Sequence, residues 1–182
     1  MTNRYALLLR GINVGGNRKV PMADLRELLT GLGHGDVRTY LNSGNAVFSS
    51  EASGENELAA GVEEAIASRF GFTVDCLVRG GGYLRAVADA CPFEASGLQG
   101  KQLHVTYFSG PVEPGRFAPI DQQAYLPEEF RLGDRVLYLY APDGLGRSKL
   151  AVALNKPAVN KDIIGTSRNW NTVLKLAEMT AD

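Results

Sequence analysis

Tyr5-Ala-Leu-Leu-Leu9 is apolar on both sides of an extended chain, the pattern of an inner strand covered on both faces. The segment that follows constrains the fold most. From Arg10 to Lys19 the chain reads Arg-Gly-Ile-Asn-Val-Gly-Gly-Asn-Arg-Lys, whereas a strand-to-helix connection usually takes about two to six residues. A loop this long, rich in glycine, asparagine and cations, predicts a cradle for a polar, anionic group.

The remaining elements read in a clear order. A helix is predicted from about Pro21, with proline at the first helical position, Met22, Leu25, Leu28, Leu29 and Leu32 inward, and Gly33 as the stop. Val37–Leu41 and Ala46–Phe48 flank Asn42-Ser-Gly-Asn45, a turn composition that predicts an antiparallel hairpin. Leu58, Val62, Ile66 and Phe70 then repeat at four-residue intervals before Gly71. Thr73–Val78 alternates as a strand, and a helix around Leu84 and Val87 ends before Pro92. The result is β-α-β-β-α-β, the order of a ferredoxin-like split βαβ unit.

The second half has a similar order. Leu103–Phe108 is predicted as a strand, a proline-rich and partly helical segment follows, and Phe130–Leu132 meets Val136–Tyr140 across Gly133-Asp134. A short helix is expected near Ser148–Leu154, then an irregular stretch, then a terminal helix with Val173, Leu174 and Ala177 inward. The expected fold class is α+β, two ferredoxin-like subdomains in tandem with a C-terminal helix. Residues 1–92 and 100–182 form the two subdomains, and the Pro/Gly stretch Pro92–Gly100 is the boundary.

Composition removes several classes. With 182 residues, 45% of them hydrophobic, the chain can bury one full core or two small ones. Cys76 and Cys91 are its only cysteines and have no metal-ligand or Cys-x-x-Cys spacing, which fits a reducing cytoplasm and argues against a zinc site or disulfide framework. No signal-peptide core or membrane-length apolar run is present, so the expected location is cytoplasmic, without a membrane partner. The net charge of −1 conceals a segregation: residues 1–50 and 145–182 each carry +3, and residues 51–144 carry −7. The Gly/Asn-rich segments lie in the two basic ends, where a local positive potential can form.

In a split βαβ unit the first two strands run parallel with the third between them, so the loop leaving the first and the hairpin joining the other two share one edge. Asn13 and Gly15–Lys19 are therefore expected beside Asn42–Asn45, with Arg10, Arg18 and Lys19 converging near a helix N-terminus that favours anions. The architectural alternative is that these glycines permit turns and the asparagines satisfy backbone groups. Arg168-Asn-Trp-Asn-Thr172 has the same duality. Trp170 can stack on a planar ligand while Arg168 meets an anion, or it can anchor the last helix with Asn169 or Asn171 as N-cap.

Other motifs fail on spacing. Gly11-x-x-x-Gly15-Gly16 is not the dinucleotide fingerprint, and Gly144-Leu-Gly-Arg-Ser-Lys149 is not a Walker loop; Ser148 is better read as a helix cap. His34 and His104 have no acid partner in the pattern and are weak candidates for a general base. No cofactor is called for.

Leu-Arg-Gly-Ile-Asn-Val-Gly-Gly (9–16), Thr-Tyr-Leu-Asn-Ser-Gly-Asn (39–45) and Thr-Ser-Arg-Asn-Trp-Asn-Thr (166–172) together resemble the domain of unknown function 1697 family over nearly the whole chain. The resemblance implies a bacterial cytoplasmic protein of two ferredoxin-like subdomains. It matches the polar positions Arg10, Asn13, Gly15, Gly16, Asn42, Ser43, Gly44, Asn45, Ser148, Lys149, Arg168, Asn169 and Trp170, with Asn42 standing where the family more often has glutamine. It implies no substrate, and the sequence does not set the oligomeric state.

Three functional classes follow. The first is a binding protein for an anionic, phosphate-bearing ligand, a nucleotide or nucleic acid, held by the Gly/Asn-rich loops. Base stacking on the sheet is disfavoured because Asn45–Ser49 lacks the aromatic-basic pattern of RNA-binding strands. The second is an enzyme for a small anionic substrate between the subdomains, clamped by Arg10, Lys19, Lys149 or Arg168. The third is a structural or interaction protein whose polar motifs are architectural.

Overall fold

The computed structural model describes residues 2–41 and 44–182. Among them the chain is mixed α+β, with two four-stranded antiparallel sheets, one in each of two compact units. The first unit comprises Met1–Arg85 with Leu176–Asp182, and the second Ala86–Lys175.

The first unit contains β1 (Asn3–Leu9), α1 (Met22–Gly31), β2 (Gly35–Tyr40), β3 (Asn45–Ser50), α2 (Glu55–Phe70) and β4 (Cys76–Gly80). Its last helix, α3 (Gly81–Asp89), crosses the division between units. Strand order is β2-β3-β1-β4, every neighbour antiparallel. β1 is thus interior, and Tyr5–Leu9 is buried without interruption, as its unbroken apolar run requires. Tyr5, Leu7, Leu9, Phe48 and Val78 pack against Leu25 and Leu29 of α1 and Leu58, Val62 and Ile66 of α2. Gly71 ends α2 in the left-handed conformation, φ +80, the cap expected of glycine there.

The second unit contains β5 (Leu103–Phe108), β6 (Glu129–Gly133), β7 (Val136–Tyr140), α4 (Lys149–Leu154), β8 (Gly165–Asn169) and the start of α5 (Trp170–Met179). Its strand order, β6-β7-β5-β8, repeats that of the first sheet, again all antiparallel. Between β5 and β6, where the first unit has α1, the chain makes 3-10 turns at Pro114–Phe117 and Gln122–Tyr125. Phe117 from this stretch packs with Phe108, Phe130, Leu139 and Leu154.

Several boundaries differ from the sequence expectation, each for a local reason. Pro21 is extended (φ −60, ψ 139) and precedes α1, which begins at Met22. Leu32 follows the last helical turn and is exposed, as is Leu174; Leu176 takes the core position expected of Leu174. β4 starts at Cys76, which pairs with Leu9, the last residue of β1. In the β6–β7 hairpin the two-residue turn is Asp134-Arg135, with Arg135 left-handed at φ +57. Gly133 belongs to the strand, where a Cβ would lie 2.9 Å from both Tyr138 and Val136. The stretch read as irregular is β8: its buried positions are Thr166 and Arg168, so the apolar alternation that marks a strand is missing. Asn42 and Ser43 of the predicted turn lie outside the described residues.

Within the first unit the C-terminal stretch packs against Gly81, where a Cβ would lie 2.4 Å from the Thr180 carbonyl oxygen. Gly81→Ala is expected to lower unfolding stability by about 1–3 kcal/mol, measured as a shift in urea midpoint at unchanged slope. Gly82→Ala, with open space at the same atom, serves as the control.

Candidate functional site

The β1–α1 loop folds as a miniature hairpin. Asn13 N–H donates to the Arg18 carbonyl (3.2 Å) and Asn17 N–H to the Val14 carbonyl (3.1 Å), and Val14 and Asn17 form an isolated bridge. Gly15 and Gly16 make its tip at φ +60 and +78, the two left-handed positions that a tight hairpin turn needs and that glycine supplies without strain. The base is closed by one amide: Asn13 Nδ2 donates to the Val20 carbonyl at 3.0 Å, and Val20 N–H donates to Asn13 Oδ1 at 2.9 Å. The side chain of Asn13 therefore acts as a stretch of backbone would, pairing both polar groups of Val20.

The β2–β3 hairpin meets this loop at the same end of the sheet. Leu9 N–H donates to the Gly44 carbonyl at 2.8 Å. Gly44 is left-handed at φ +90, and a Cβ there would sit 2.7 Å from Leu9 Cβ and 3.0 Å from Ile12 Cδ1. Asn45, fully buried, donates through Nδ2 to the Tyr40 carbonyl at 2.9 Å. Both asparagines are thus engaged with the backbone of their own turns.

The cations at this rim stand apart from that framework. Arg10, Arg18 and Lys19 are exposed, and Arg18 adopts φ +49. Arg10 lies 3.6 Å from Asp75, both side chains about half exposed, a contact of the weak, solvent-screened kind. Asp75 is a neighbour of this rim that sequence reasoning missed; the bond of Arg10 N–H to the Asp75 carbonyl at 3.0 Å, just beyond the β1–β4 ladder, reveals it. Three residues after Lys19, α1 starts at Met22 with no side-chain cap hydrogen bond and with the acidic Asp24 in its first turn, so its open N–H groups face an anion in competition with one carboxylate of the helix itself.

The polar motifs of the second unit have internal roles. Ser148 caps α4, accepting from Ala151 N–H at 2.9 Å and donating to Glu128 Oε2 at 2.7 Å; the same carboxylate oxygen accepts from Leu150 N–H at 2.9 Å. Lys149 is exposed. Asn169 Oδ1 accepts from Thr172 N–H at 3.0 Å, the N-cap bond of α5, whose first residue, Trp170, is buried. Arg168 is 8% exposed and donates through one terminal nitrogen to Thr166 Oγ1 (2.6 Å) and the Ser167 carbonyl (2.9 Å). Burial brings its pKa down to about 10, with Tyr107 acting in the opposite direction; the guanidinium stays charged at neutral pH.

Neither histidine is placed as a general base. His34 stacks on Phe48 with centroids 4.4 Å apart, and His104 Nε2 lies 2.9 Å from the Lys101 carbonyl. Burial lowers the pKa of both from 6.5, the Lys101 carbonyl partly opposing this for His104. Burial likewise raises the Cys76 and Cys91 thiols, in Cys76 with help from Glu63 and Asp75, which keeps them protonated and weakly nucleophilic.

A profile described as "Protein of unknown function (DUF1697)" matches residues 1–138. The chain belongs to this family. No curated protein matches it. Among solved structures it is similar to the conserved bacterial protein SP0830 from Streptococcus pneumoniae, with 26% identity, 100% of each chain covered and a TM-score of 0.77. No helix among the described residues is long and apolar enough to cross a membrane.

Two outcomes test the framework. Asn13→Ala removes both bonds to Val20 and is expected to cost about 1–3 kcal/mol, read by thermal or urea unfolding. The histidines give a pH dependence: a base whose folded pKa lies below its unfolded value of 6.5 contributes stability above that value and loses it as pH falls through the folded pKa. Melting temperature is therefore expected to fall from about pH 7.5 to about pH 5.5, with a shallower slope in His104→Gln.

Proposed function

We propose that this protein binds an anionic, phosphate-bearing ligand, a nucleotide or nucleic acid, at the rim formed by the β1–α1 loop and the β2–β3 hairpin. The observation that carries this reading is the closure of the loop on Asn13. Because one amide pairs both groups of Val20, the loop holds its shape internally. Arg18 and Lys19 stand exposed beside an uncapped helix start. Arg10, Gly15, Gly16, Arg18 and Lys19 are the ligand-facing groups in this reading, and Asn13, Gly44 and Asn45 are the framework that presents them. Phosphate oxygens suit such a site because cations and free N–H donors act on the same charge.

The same proposal takes each half of the chain as a ferredoxin-like split βαβ unit. The shared strand order, with the first strand in sequence between the third and fourth in each sheet, supports it. The 3-10 turns that stand in for a helix between β5 and β6 are the departure from the ideal order.

Salt dependence tests the reading. Retention of a nucleotide or oligonucleotide is expected to weaken by about tenfold between about 50 and about 200 mM salt if about two phosphates are neutralised. Arg18→Ala with Lys19→Ala should lose at least about tenfold in Kd while leaving the melting temperature unchanged. Asp75→Asn, which removes the competitor for Arg10, should gain about twofold. Equal retention at both salt concentrations, or an unaffected double variant, would defeat the proposal.

A further inference from the structure

We infer that the ligand of this rim is a nucleoside polyphosphate whose base packs on Val14 and Leu41 while its phosphates meet Arg18 and Lys19. The inference rests on the anion-binding reading above and deepens it. In the first unit three large apolar side chains are exposed among the described residues, Val14, Leu32 and Leu41, and two of them stand on this rim. Val14 is 66% exposed and Leu41 56%.

Folding explains neither residue. Val14 precedes the glycine tip of the miniature hairpin and contributes only backbone to the bridge with Asn17, a role any polar residue fills. Leu41 begins the β2–β3 turn in the left-handed conformation, φ +60, where glycine or asparagine is the comfortable choice. A leucine there is strained and wet at once. Arg18 shares the pattern, a side chain in the left-handed region at φ +49 and exposed. Exposed aliphatic side chains on the same two turns as the cations suit a molecule that has an apolar planar part next to a phosphate. Inorganic phosphate would use the cations and leave the aliphatic side chains idle. An anionic bilayer would use cations and aliphatic tips but not the N–H donors of the loop and the helix start.

The test compares ATP, inorganic tripolyphosphate and phosphatidylglycerol vesicles on the full chain at low salt, by calorimetry for the first two and co-sedimentation for the third. ATP is expected to bind about tenfold tighter than tripolyphosphate. The Val14→Ser, Leu41→Ser double variant should erase that preference, leave tripolyphosphate affinity unchanged, and melt as the parent does because both side chains are exposed. Equal binding of ATP and tripolyphosphate, or an ATP preference that survives the double variant, overturns the inference while the rim remains an anion site. Vesicle binding that the double variant abolishes, without any ATP preference, overturns it in favour of a lipid surface. Failure of ATP and tripolyphosphate alike removes the anion-binding reading itself.

Discussion

The registered pairing of β1 between β3 and β4 is the constraint on which the rest of the first unit depends. Leu8 stands opposite Asn45 on one side and Leu77 on the other, and Leu9 opposite Cys76. At the end of that ladder a single backbone bond, Leu9 N–H to the Gly44 carbonyl, brings the β2–β3 hairpin against the root of the β1–α1 loop. A shift of one residue would turn the side chains of β1 to the opposite faces, separate the two turns and dismantle the rim. Gly44 makes the approach possible because the space that a Cβ would take is filled by Leu9 and Ile12.

Around this contact the polar residues divide into two sets. The amides of Asn13, Asn45 and Asn169 and the hydroxyl of Ser148 satisfy backbone groups at turns and helix starts. Buried donors and acceptors must be paired or they cost more than they contribute. The cations Arg10, Arg18, Lys19 and Lys149 lie exposed, and Arg168, buried among its own strand's oxygens, is the exception. Amides that satisfy the backbone and cations that face solvent are therefore different residue types, so the fold draws on the first set and leaves the second to the surface.

Much of the fold was legible because burial leaves periodic traces. The unbroken apolar run of β1, the four-residue repeat of α2 and the glycine at its end each match an observed element. β8 left no such trace: its inward residues are Thr166 and Arg168, whose burial is compensated by hydrogen bonds rather than by apolarity. Gly133 has the composition of a turn glycine yet serves close packing under Tyr138 and Val136, and a sequence does not distinguish a glycine needed for its φ from one needed for its missing side chain. The link between Arg10 and Asp75 was invisible for a similar reason, since it exists only through the pairing of β1 with β4.

The order of residues dictates local properties: which segments extend or coil, where they stop, and that one loop is too long and too polar for a plain connection. Those properties follow from side-chain periodicity and from the backbone freedom of glycine and proline, which act within a few residues. Which polar residues the fold itself consumes is set by packing in three dimensions. Whether an asparagine is a brace or a contact depends on what lies within about 3 Å of its amide, and for Asn13, Asn45 and Asn169 the answer was backbone brought there by chain reversal and strand pairing.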